Sequence, residues 1–130
     1  MKPTLLCYHF SAERLSKLRF LCMKLGVTVR VVAPEEESLP LAQLCGMEAE
    51  KQAETQPDGA VDREMLVMAG FSGPMVNALL ASMKQFRFAP VALKAVLTET
   101  NVDWTGPYLC RELKKEHEAM HQGKSVHGNA

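Results

Sequence analysis

Apolar positions along this chain fall into strand-like and helix-like runs that alternate. Residues 4–10 are apolar or aromatic apart from His9, which predicts a buried first strand. Ser11 then precedes Ala12-Glu13-Arg14, an N-cap with an acid in the first turn. Leu15, Leu18, Cys22 and Leu25 recur at helical spacing, with Phe20 and Leu21 widening the apolar face. Gly26 ends that helix, where a left-handed residue costs little. Val27, Val29 and Val31 alternate with Thr28 and Arg30, predicting a second strand over 27–33 with one wetter face. Pro34 stops it.

The next stretch is polar. Glu35-Glu36-Glu37 reads as a solvated acidic loop, and Ser38 caps a short helix through Leu39, Leu41, Ala42, Leu44 and Cys45, closed by Gly46. Residues 47–62 are polar and acidic, with Pro57-Asp58-Gly59 as a turn, and read as a mobile connection. A third strand is expected over 64–70. Ser72 and Pro74 open a helix whose apolar stripe is Val76, Leu79, Leu80 and Met83. Pro90 precedes a last strand over 91–98, in which Lys94 marks the wetter face. A C-terminal helix follows over about 107–121, with Leu109, Leu113 and Met120 inward, and 123–130 reads as a flexible tail. The expected organisation is one domain over 1–122.

Two stretches share one plan. Phe10-Ser11 and Phe71-Ser72 are matched strand-to-helix corners, 61 positions apart, within units spanning 4–33 and 64–98. The first strand of each unit is almost wholly apolar. The second alternates and carries Arg30 or Lys94. This fits central first and third strands flanked by edge strands. The expected fold is α/β (α+β): a ferredoxin-like two-layer sandwich, with the short helix inserted and the C-terminal helix added. The alternative is a small doubly wound parallel sheet with helices on both faces.

Composition narrows the functional classes. The 130 residues are 47% hydrophobic, enough for a real core. Fifteen basic and fifteen acidic side chains give zero net charge, which argues against binding nucleic acid through its phosphates. The charges are nonetheless uneven. Residues 1–33 hold six bases and one acid, 34–64 hold nine acids and two bases, and 65–98 hold three bases and no acid. The N-terminal residues do not read as a secretory signal and no run of apolar residues would span a membrane, so a cytoplasmic location is expected. Cys7, Cys22, Cys45 and Cys110 are scattered among apolar neighbours and read as buried free thiols.

Candidate chemistry is sparse. Gly70-Phe71-Ser72-Gly73 lacks the third glycine and the lysine of phosphate-binding loops, although a helix N-terminus can hold an anion. A mixed Cys7, His9 and Cys45 metal site and a His117–His121 pair are weaker readings than ordinary core and surface residues. Tyr8 and Phe10 share a strand face but lack the flanking bases of an RNA-binding sheet. The densest polar cluster follows the last strand, where Thr98 and Asn101 could act as donors and Trp104 as a wall, with Lys94, His9 and Ser72 as candidates to converge on them.

The stretch from Leu66 to Trp104 resembles a small bacterial family known only as a domain of unknown function. The resemblance rests on Phe71-Ser72-Gly73 and on Leu93-Lys94-Ala95-Val96-Leu97-Thr98-x-x-Asn101-x-x-Trp104. It implies no activity, cofactor or partner. The leading expectation is a non-catalytic regulatory or protein-interaction module that meets a protein partner or a second copy of itself. The alternative is a small-molecule or anion-binding domain, or an unfamiliar enzyme, with its site near Thr98, Asn101 and Trp104. No cofactor or metal is expected.

Overall fold

The computed structural model describes residues 2–47 and 60–127, with side chains up to residue 119 in the last helix. The expected turn at 57–59 and residues 128–130 of the expected tail lie outside them.

Strand β1 (Thr4–Tyr8) leads into helix α1 (Ala12–Leu25), which returns the chain to β2 (Thr28–Val31). A 3-10 turn (Pro34–Glu36) and the single-turn helix α2 (Leu41–Leu44) follow. The plan then recurs as β3 (Met65–Ala69), α3 (Gly73–Gln85), β4 (Leu93–Val96) and α4 (Gly106–His127). The last helix continues past the 107–121 expected from periodicity.

The four strands form one mixed sheet in the order β2-β1-β3-β4. The outer pairs, β1 with β2 and β3 with β4, are parallel, while the central pair β1 with β3 is antiparallel. This corrects the ferredoxin-like expectation. The first and third strands are central and the second and fourth are edges, as the burial pattern implied. In a ferredoxin-like sheet, however, each edge strand lies beside the other unit's central strand. Here each helix is a simple crossover that returns its strand beside the one it left. The doubly wound alternative has the helices correctly on both faces, but its sheet would be wholly parallel.

The sheet is covered twice. Leu5, Cys7, Leu66 and Met68 point to one face and pack with Leu18, Leu21 and Cys22 of α1 and Leu79 and Met83 of α3. Leu6, Tyr8, Met65 and Val67 point to the other and pack with Leu41 and Leu44 of α2 and Leu109 and Cys110 of α4. Period-two alternation in β1 and β3 therefore serves two cores, and both strands are buried almost throughout.

The two units are structural copies related by an approximate two-fold axis through the centre of the sheet. His9 and Gly70, 61 positions apart, both leave their strand with positive φ (62° and 74°). Ser11 and Ser72 then cap α1 and α3, accepting from the N–H of Arg14 and Met75. Both helices end alike: Gly26 and Arg87 have φ of 73° and 54°, and Val27 and Phe88 donate to Cys22 and Met83, each at 2.8 Å. Beyond Phe88 the second copy carries four more residues, so the spacing becomes 65. Val32 and Leu97 donate to Cys7 and Met68, and Ala33 and Thr98 N–H donate to the side chains of Glu36 and Asn101. Leu44-Cys45 at the end of α2 corresponds to Leu109-Cys110 in α4. The short helix is thus the first turn of α4 in its other copy, not an insertion.

The positive-φ positions give a test of the equivalence. A β-carbon there costs roughly 1 kcal/mol relative to glycine. Gly70→Ala is expected to lower the urea-unfolding free energy by about 1 kcal/mol, while Arg87→Gly raises it by about 0.5–1 kcal/mol. Equal, near-zero effects would show that these two corners are not held as described.

Candidate functional site

The residues singled out by sequence are distributed by the strand register. Tyr8 pairs with Met65 and Met65 with Leu93, so His9 lies beyond that end of the sheet. Thr4 pairs with Ala69 and Met68 with Val96, so Ser72, Thr98 and Asn101 lie beyond the opposite end. His9 is therefore separated from the others by the length of the strands.

Thr98 and Asn101 are brought together in a closed turn. Thr98 N–H donates to Asn101 Oδ1 at 2.8 Å, Asn101 N–H donates to Thr98 Oγ1 at 3.3 Å, and Asn101 Nδ2 donates to Val96 O at 3.1 Å. Asn101 is buried, and these bonds occupy its amide on both sides. Trp104 packs against the second core and sets its ring edge-on to Tyr108 at 4.7 Å. Ser72 caps α3. The Lys94 ammonium turns away from Thr98 and donates to Val91 O.

At the other end, His9 Nε2 lies 2.9 Å from Glu37 Oε2. The second oxygen of Glu37 accepts from Val61 N–H at 3.1 Å, tying the chain after α2 to the end of β1. The acidic run is thus not simply solvated, which corrects the sequence reading. Glu37 is buried, and Glu36 caps Ala33 N–H and pairs with Arg30 at 2.7 Å. The Ala33 N–H, reinforced by Arg30, holds the Glu36 carboxyl below the usual carboxylate range. Beside this pair, Tyr8 is fully buried and its hydroxyl has no hydrogen-bond partner among the described residues. Burial first, and then the nearby acidic groups, push its pKa upward.

All four cysteines are free, and three are buried. Burial pushes the Cys7 thiol up to about 12 and those of Cys22 and Cys45 up to about 11. Among the described residues no three His, Cys, Asp or Glu side chains are grouped to hold a metal, and no helix is long and apolar enough to cross a membrane. The His121 side chain lies outside the described residues.

The most distinctive surface was missed by the sequence reading. Phe20 was expected to widen the buried face of α1, yet it is 46% exposed, and Phe86, just past α3, is 47% exposed. The helical period explains the difference. Phe20 lies two residues from buried Leu18, about 200° around the helix. The two rings meet edge to face at 6.1 Å. The Lys24 ammonium sits 4.8 Å from one ring centre and 5.2 Å from the other. Exposed Met23 and Leu80 extend the apolar area.

Phe88 anchors this surface from below. It is buried, with its ring 6.4 Å from that of Phe10. The Arg14 guanidinium covers it at 4.0 Å while making two bonds to Glu64, at 2.5 and 2.8 Å, and a third to Ala89 O. Two depressions share Phe88 as a wall. One, of about 430 Å³, lies between Lys17, Phe20 and Phe86. The other, of about 470 Å³, lies between Leu80, Lys84, Arg87, Val91 and Lys94. Lys94 thus belongs to this surface rather than to the Thr98–Asn101 turn. Among the described residues no acid lines either depression.

Residues 64–120 match a family described as Domain of unknown function (DUF3783). The match covers the second structural copy, from the residue before β3 into α4. No curated protein and no solved structure matches the chain.

Two outcomes check these assignments. Asn101→Ala removes a buried amide that satisfies two backbone groups and is expected to cost about 1–3 kcal/mol in urea unfolding; a loss below about 0.5 kcal/mol would exclude the capping role. For the thiols, folded pKa values above the ordinary 9.0 mean that the native chain keeps protons the unfolded chain loses. Stability is therefore full below pH of about 9 and falls as pH rises through 9 toward 11 to 12. Unfolding free energies measured from pH of about 7.5 to 10.5 should show this decline, and a flat profile would contradict it.

Proposed function

We propose that the chain is a non-catalytic protein-interaction module that works through the outer surface of its α1–α3 layer. The observation that carries this reading is the exposed Phe20–Phe86 pair. Two large rings meet edge to face on the surface and line one depression with Lys17, while a second depression, lined by Lys84, Arg87 and Lys94, shares Phe88 with it. Fixed, exposed aromatics beside hollows are the usual anchors of a binding surface. The free thiols fit a reducing compartment, in keeping with a protein of the bacterial cytosol.

The polar candidates support this reading by the way their groups are used. Asn101 holds a turn, Ser72 caps a helix, and Glu37 bridges His9 and Val61. The aromatic pair touches Lys24 and itself, yet each of the two residues stays nearly half exposed.

Site-specific photo-crosslinking in cells tests the proposal. A photoreactive residue at position 20 or 86 should give a discrete protein adduct. The same residue at Met47, exposed on the α2 side, should give none. Adducts that form equally from both sides, or none from position 20 or 86, would overturn it.

A further inference from the structure

We infer that the natural occupant of the α1–α3 surface is an acidic, amphipathic segment of a partner protein, with apolar side chains seated on either side of Phe88. This rests on the proposed function and names the chemistry of the partner.

Three observations carry it. First, shape: two depressions of about 430 and 470 Å³ share Phe88, and each could receive one large apolar side chain of a continuous segment. Their shared wall is buttressed by Arg14, which lies over the Phe88 ring and makes three hydrogen bonds.

Second, charge. Lys17, Lys84, Arg87 and Lys94 line the depressions, and Lys24 stands over the Phe20 and Phe86 rings. Residues 65–98 contain no acid. Among the described residues Lys84 and Arg87 have no acidic partner. Among the same residues Lys17 pairs only with the exposed Glu13, at 3.9 Å on the same helix. Such a pair contributes little, so the lysine is available to an incoming carboxylate.

Third, the same charges disfavour other occupants. A second copy meeting this face through a two-fold axis would set cations against cations. Single-stranded nucleic acid needs open ring faces for stacking, whereas Phe20 and Phe86 meet edge to face with Lys24 over both rings. An acidic peptide uses both features. Its apolar side chains enter the hollows and its carboxylates meet the surrounding bases.

The test uses the full chain, isotope-labelled and followed by NMR. The probe is a short helical peptide with Leu and Phe on one face and Glu on both flanks. Its control carries Lys in place of every Glu. The acidic peptide should shift signals of α1, α3 and residues 86–94 only. Its affinity should fall several-fold when salt rises from about 50 to 300 mM. It should fall about tenfold in a Lys17→Glu, Lys84→Glu, Arg87→Glu variant. These three side chains are exposed, and an unchanged thermal melt confirms that the variant is folded. The basic peptide should not bind. Equal binding of both peptides, no binding of the acidic one, or preference for an oligouridine strand or anionic vesicles would each overturn the inference. If the peptide fails while photo-crosslinks from residue 20 persist, the interaction reading stands and only the acidic partner is lost. If both fail, the reading falls with it.

Discussion

Leu6 and Val67 face each other across the antiparallel β1–β3 ladder, and each is the other's counterpart in the repeated plan. That pairing places an approximate two-fold axis through the middle of the sheet. Everything outside it follows in pairs: two parallel edge strands, two crossover helices and two C-terminal turns. The isolated bridge between Pro40 and Thr105, again mutual counterparts, lies over the same axis on the side of the second core. Neither unit has a closed core alone. The central strand of each buries both faces only because the other unit's strand and helices complete them.

Symmetry in the backbone coexists with asymmetry in the side chains. The left-handed corner after β1 is His9, whereas its counterpart is Gly70. Glycine takes this conformation freely, so the histidine is retained at a cost, and its contact with Glu37 offsets part of that cost. The helix layers have diverged more. Helix α3 and the turn after it carry bases and no acids, while the residues between β2 and β3 are rich in acids. The basic, aromatic side is the surface that the proposed function assigns to a partner.

Much of this was legible in the sequence. The helix caps at Ser11 and Ser72, the stop at Gly26, and the central position of the two apolar strands follow from local chemistry and alternation. Strand order did not follow, because period-two burial tells a central strand from an edge but not which neighbour each edge strand takes. The extent of the repeated plan was hidden for a different reason. Its spacing shifts from 61 to 65 after Phe88, so Phe10-Ser11 matches at one offset and Leu44-Cys45 at the other. Glu37 was read as solvated because sequence does not show that the Val61 N–H comes to meet it. The exposed aromatic pair was missed because Phe20 was judged by its polarity, whereas its angle from Leu18 around α1 already placed it outside the apolar stripe.

The central claim is that each edge strand lies beside its own unit's central strand and that the two central strands run antiparallel. Cross-strand nuclear Overhauser contacts test this most directly. The account predicts close Hα–Hα contacts at alternate pairs along β1 and β3, in the register that sets Leu6 opposite Val67. It also predicts contacts of β2 with β1 and of β4 with β3 alone. Contacts of β4 with β1 and of β2 with β3 would contradict it and restore the ferredoxin-like order.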